Sequence, residues 1–175
     1  AAVSAQGCSR DVCVQRVEQK QALAAAGEAL KSGCVGLIVN TVKRAQMLRE
    51  ELRQAYPDAV ILMDHSRFLA PDRLEHEQEI LRRVGKNTDA QMRRGVLVIG
   101  TQVLEQALDL DFDLLITDLC PMDLLLQRIG RLHRHTRIRP QELEVPRCLV
   151  MGALGELDAG SQAVYGDYLL LRTRR

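Results

Sequence analysis

At 175 residues the chain is long enough for one domain with a real core, and a hydrophobic content of 46% excludes a disordered polypeptide. Aromatics make up only 3%, so that core has to be aliphatic. A formal net charge of +1 excludes a polybasic binder, and any nucleic-acid surface must come from local clustering of charge.

Residues 1–18 show no periodicity and are read as a linker or an extra edge element, which leaves 19–175 as one domain. Residues 19–31 are Ala-rich and helical. The run V-G-L-I-V at 35–39, bounded by Gly33 and Asn40, predicts a buried strand. Val42, Ala45, Leu48, Leu52 and Ala55 then recur every three or four residues, a helix that Pro57 stops. A second strand is predicted at 60–63 and a second helix over 72–84, with Leu74, Leu81 and Val84 on one side and Gly85 at its end. Strands follow at 96–99 and 112–117. Pro121 opens another helix, whose Leu124, Leu125, Arg128 and Leu132 share a face. A fifth strand spans 147–151, and a last helix spans 165–171.

Near-continuous apolar strands alternating with amphipathic helices predict an α/β fold, a parallel sheet with helices on both faces. Its crossovers are expected to be right-handed. Ligands of such sheets bind beyond the C-terminal strand ends, which directs attention to the loops at 40–43, 64–67, 100–106 and 118–123. The five cysteines (Cys8, Cys13, Cys34, Cys120, Cys148) form no C-x-x-C pair, so neither a disulfide framework nor a zinc site is expected. They are read as thiols of a reducing cytoplasm. No apolar run approaches the ~20 residues of a membrane span. No secretory leader is visible. The chain starts without Met and ends on Arg172-Thr173-Arg174-Arg175, and is read as a domain of something longer.

The strongest signal is Q-R-I-G-R-L-H-R-H at 127–135. Gln127, Arg131 and Arg134 lie at i, i+4 and i+7, so a continuous helix would align them on one face. Gly130 beside that row admits another surface. Arginine offers a planar fork of donors that stays charged, which suits a phosphate chain whose charge grows during transfer. A solvated basic helix end or a general nucleic-acid patch, extended by Arg137 and Arg139, is the alternative. A second signal runs from Thr101 to Asp111. Gly100-Thr101 ends a strand and opens a helix, a geometry that can hold a phosphate, and Asp109 can accept from a ribose hydroxyl or a magnesium-bound water. Equally, Thr101 can be a helix cap and Asp109 a turn residue. Thr41 reads as a strand-phosphate contact or as a cap. Arg67 reads as a backbone-phosphate contact or an ordinary surface arginine. His65, His76, His133 and His135 form no ligand set, and no metal site is expected. The phosphate loop G-x-x-x-x-G-K-[ST] is absent from the sequence.

Residues 36–48, 101–111 and 127–134 resemble motifs IV, V and VI of superfamily 2 helicases, in the same order. Within that superfamily, TQVLEQALDLDFDLLITDLCPMDLLLQRIGRLHRH is most similar to the CRISPR-associated helicase–nuclease family of type I interference systems. The T-Q-x-x-E-Q start, the L-D-x-D-F-D run and the H-R-H end carry that resemblance. DEAD-box helicases have His where this chain has Gln127, and Arg-Gly where it has Gln106-Ala107. Ala107 also departs from the CRISPR pattern, where Ser is expected.

The resemblance implies the second RecA-like domain of an ATP-driven, single-stranded DNA translocase. Arg131 and Arg134 would act as arginine fingers on the γ-phosphate of ATP, with Gln127 coupling nucleotide state to domain closure. Asp109 and Gln106 would lie on the nucleotide, near the ribose or the magnesium shell. Thr101, Gln102, Thr41 and Arg67 would hold the DNA backbone. The implied partners are a first RecA-like domain carrying the phosphate loop, a nuclease domain and a CRISPR surveillance complex. Another superfamily 2 helicase, or a non-catalytic module binding nucleic acid or a partner protein, remains the alternative.

Overall fold

A computed structural model of the chain describes residues 11–66, 70–106 and 108–174; the side chains of 70–73 and 106 lie outside that description, as do Arg67 and Ala107 entirely. The chain runs β1 (Cys13–Val17), α1 (Gln19–Leu30), β2 (Cys34–Ile38), α2 (Val42–Ala55), β3 (Val60–Asp64), α3 (Ala70–Val84), α4 (Ala90–Arg93), β4 (Val96–Gly100), α5 (Val103–Gln106), β5 (Leu114–Asp118), α6 (Met122–Ile129), a 3-10 turn at Gln141–Leu143, β6 (Arg147–Met151), α7 (Ala159–Tyr165) and α8 (Asp167–Arg174). The strands form one sheet in the order β1-β6-β5-β2-β4-β3. Every neighbouring pair is parallel.

Two apolar layers explain why the central strands are apolar at every position. Side chains of successive strand residues point to opposite faces, so a strand covered on both sides has no polar half. Cys34, Ile38, Val96, Val98, Leu115, Cys148 and Val150 pack on one face with Ile80, Leu104, Leu125 and Leu170 of α3, α5, α6 and α8. Val35, Leu37, Leu97, Ile99, Leu114, Ile116, Leu149 and Met151 pack on the other with Ala22 and Ala26 of α1 and Leu48 and Leu52 of α2.

Of the two readings of the first residues, the edge element holds for Cys13–Val17, a strand at the sheet edge that pairs with β6. Two expectations are corrected. The strand expected at 112–117 begins at Leu114, because Phe112 instead bridges to Leu132. The last helix expected at 165–171 is two helices, since Gly166 adopts φ +72, a left-handed conformation that ends α7 one residue before α8 begins.

Candidate functional site

The C-terminal ends of β2, β4 and β5 form a rim held by hydrogen bonds. The Asn40 amide donates to the Leu119 carbonyl and to Ser161 Oγ, both at 2.8 Å, and the Asn40 N–H donates to Asp118 Oδ2 at 3.1 Å. Arg44 Nε donates to both Asp118 oxygens at 2.9 Å. Thr41 caps α2, its hydroxyl accepting from Arg44 N at 3.3 Å, and it remains half-exposed on the rim. Gln102 Nε2 donates to Tyr165 Oη at 2.9 Å and to the Asn40 carbonyl at 3.4 Å. Thr101 is 2% exposed, so the expected open hydroxyl at this strand end is not presented to solvent.

Behind the rim lies Arg128, fully buried. Its Nε donates to Glu105 Oε1 at 2.7 Å, its Nη1 to Thr117 Oγ1 at 2.7 Å, and its Nη2 to Asn40 Oδ1 at 3.0 Å and Tyr165 Oη at 3.4 Å. A buried charge is tolerated only when paired and hydrogen-bonded, and this guanidinium is both. Burial pushes the Glu105 carboxyl up against the opposing pull of Arg128. The sequence reading missed this residue as a site component. Its signal was an arginine on the apolar face of a helix, among Leu124, Leu125 and Leu132.

The arginine segment departs from the expected row. Helix α6 ends at Ile129 with Gly130 as its C-cap, so Gln127 is helical while Arg131 and Arg134 are not. The helix stops because the sheet captures the chain: Phe112 N–H donates to the Arg131 carbonyl at 2.8 Å and His133 N–H to the Phe112 carbonyl at 2.9 Å. Leu132 is buried there, and His133 takes φ +48 to turn the chain. The segment therefore lies beside the connection that leads into β5, not on the edge formed by the strand C-termini. Gln127 is exposed.

Arg134 nevertheless meets Asp109, and Arg131 lies close enough to feel the same carboxylate. Arg131 Nη1 donates to the Leu108 carbonyl at 2.6 Å and Nη2 to the Glu105 carbonyl at 2.5 Å. Both acceptors are neutral. Arg131 Nε is buried without a hydrogen-bond partner among the described residues. Burial and the neighbouring Arg134 hold its pKa below the usual arginine value. Arg134 Nε pairs with Asp109 Oδ1 at 2.6 Å, and the same oxygen lies 3.0 Å from His135 Nε2. Burial raises the Asp109 carboxyl, but His135 and Arg134 together outweigh it, and the group ends below the usual carboxylate range. Arg134 and His135 line an open cleft of about 470 Å³ with Arg137 and Arg139. Among the described residues, no cluster of His, Cys, Asp or Glu is placed to hold a metal ion, and no helix is long and apolar enough to cross a membrane.

Residues 31–137 match the family model described as CRISPR-associated nuclease/helicase Cas3, C-terminal. The chain belongs to this family. It is 45% identical over 168 residues to the CRISPR-associated nuclease/helicase Cas3 of Streptococcus thermophilus, a match covering 94% of this chain. The chain spans 18% of that relative's length. The crystal structure of T. fusca Cas3–ATP superposes with a TM-score of 0.87 at 32% identity, over 99% of this chain and 22% of that one. A chain of a pre-nicking CRISPR RNA-guided surveillance complex superposes with a TM-score of 0.80 at 33% identity, over 95% of this chain and 22% of that one. The sheet is thus the RecA-like fold of Cas3 helicase C-terminal domains. The Cas3 family match includes α5, α6 and the arginine segment, and ends before α7.

Proposed function

We propose that this chain is the second motor domain of an ATP-dependent, single-stranded DNA translocase acting in CRISPR interference, and that Arg131 and Arg134 complete a nucleotide site shared with a first RecA-like domain. The observation that carries this reading is the Arg131 guanidinium. It is anchored on two neutral carbonyls, feels Asp109 without a direct ion pair to it among the described residues, and leaves Nε unsatisfied. A half-buried cation in that condition suits an incoming anion.

Arg131, placed by the two carbonyls, would turn its guanidinium to the γ-phosphate as the domains close. Arg134 would exchange partners. Its pair with Asp109 is exposed on both sides, at 42% and 46%, and pairs of that kind contribute only about 0–1 kcal/mol, so a multivalent phosphate displaces the carboxylate readily. Asp109, released, accepts a ribose hydroxyl. Gln127 lies on the exposed face of α6, toward the joining domain, and Gln106 on α5 is assigned to the same nucleotide. The phosphate loop and the magnesium ligands belong to the first domain. Thr41 and Gln102 would hold the DNA backbone at the rim, and Arg67 is proposed as a further backbone contact. Closure brings the two arginines to the phosphate, hydrolysis removes that attraction, and the strand advances because both domains grip it. The assembly would include a nuclease domain and a CRISPR surveillance complex, in the cytoplasm.

Substituting Arg131→Ala in the full-length protein should lower ATP turnover by about 10³-fold or more while DNA affinity is retained. Phosphate release and fluorescence anisotropy measure the two. Undiminished turnover would remove Arg131 from the nucleotide site.

A further inference from the structure

Helix α7 lies outside the part of the chain that the family model matches, yet it is fastened to the rim at both ends. At its start Asp158 caps the helix through Ser161 N at 2.8 Å and holds Ser161 Oγ at 2.9 Å. That hydroxyl accepts the Asn40 amide at 2.8 Å. At its end the half-buried Tyr165 turns its phenol inward, and Gly166 terminates the helix immediately behind it. Tyr165 Oη accepts from Gln102 Nε2 at 2.9 Å and from Arg128 Nη2 at 3.4 Å.

That oxygen is the point where two sets of bonds meet. On one side the Gln102 amide donates to the Asn40 carbonyl, and the two residues follow the C-terminal ends of β4 and β2. On the other, Arg128 holds Glu105 Oε1 at 2.7 Å, and the carbonyl of the same Glu105 anchors Arg131 at 2.5 Å. Gln102 is thus linked through Tyr165 and Arg128 to Glu105, the residue whose carbonyl anchors Arg131. A chain of buried and half-buried polar side chains with defined partners offers a contiguous route for a small shift.

We propose that Tyr165 is a positioning residue through which occupation of the DNA rim sets the placement of Arg131, so that its hydroxyl couples strand binding to nucleotide hydrolysis. The inference rests on the motor reading above. Burial keeps the phenol above its usual pKa against the opposing pull of Gln102 and Arg128, so the group stays neutral and its bonds persist at physiological pH.

The test is Tyr165→Phe in the full-length protein, with ATP turnover measured with and without a single-stranded oligonucleotide, and oligonucleotide affinity measured separately. Coupling predicts that basal turnover and affinity hold while the ratio of stimulated to basal turnover falls by about five-fold or more. An unchanged ratio overturns the proposal. A variant that loses basal and stimulated turnover in the same proportion also overturns it, because that is the mark of a merely structural role. Tyr165→Leu, which removes both hydroxyl and ring edge, should reproduce the lowered ratio; a normal ratio in that variant counts against coupling as well. Wild-type protein without any strand-stimulated turnover would instead remove the motor reading itself.

Discussion

Asp113 shows how one carboxylate organises the base of the arginine segment. Its Oδ2 accepts the Cys34 N–H at 2.9 Å, and its Oδ1 takes Arg93 at 2.8 Å and Arg139. Asp111 next to it pairs with Arg137 at 2.6 Å and Arg139 at 2.7 Å. These bonds fix the chain just after Arg134 and so help to set where Arg134 emerges. Burial pushes the Asp113 carboxyl up, but Arg93, the Cys34 N–H and Arg139 together hold it below the usual carboxylate range. A carboxyl depressed in the folded state stabilises fully above its unfolded value of about 3.9 and loses that contribution as pH falls through the lower folded value. Replacing Asp113→Asn should therefore cost about 3–5 kcal/mol at neutral pH, because Arg93 is left buried with a lost partner. Urea unfolding across a pH series should show the gap to wild type constant above pH about 5 and closing below about 4. A gap unchanged down to strongly acid pH would mean that charge at Asp113 contributes nothing.

Among the elements, β2 depends on a missing side chain. A Cβ on Gly36 would stand 2.4 Å from the Phe112 ring, which fills that space on the sheet face. Phe112 in turn carries the bridge to Leu132 that stops α6. Substituting Gly36→Ala should destabilise the chain by about 1–3 kcal/mol through overpacking, and Phe112→Leu in the same chain should recover part of the loss. Denaturant titration of both singles and the double measures this, and strictly additive effects would show that the two positions do not share the space. The same pair explains where element-level reading succeeded and failed. The strands at 60–63 and 147–151 and the helix at 42–55 follow from apolar periodicity and Pro57, which are local. The row of Gln127, Arg131 and Arg134 was an extrapolation of helical spacing past Gly130, and a sheet bond from Phe112 overrode it.

For the whole molecule, the chain spans 18% of a curated Cas3 relative and contains no phosphate loop. The isolated chain should accordingly release no phosphate from ATP, with or without DNA; turnover by it alone would contradict a nucleotide site shared between domains. The sheet with its two apolar layers was legible because burial on both faces writes continuous apolar strands into the sequence. The family was legible because the residue types and spacing of 101–134 are specific, and the Cas3 C-terminal model matches that stretch. What the sequence by itself determined is therefore the parallel α/β core and the chemical character of the arginine segment, both properties of residues near one another in the chain. Only the tertiary structure decided which arginine has its hydrogen bonds filled and which does not. Arg128 is satisfied by Glu105 of α5, Thr117 of β5 and Asn40 after β2, which the folded sheet alone brings together, while Arg131 is left with an unpaired nitrogen among the described residues.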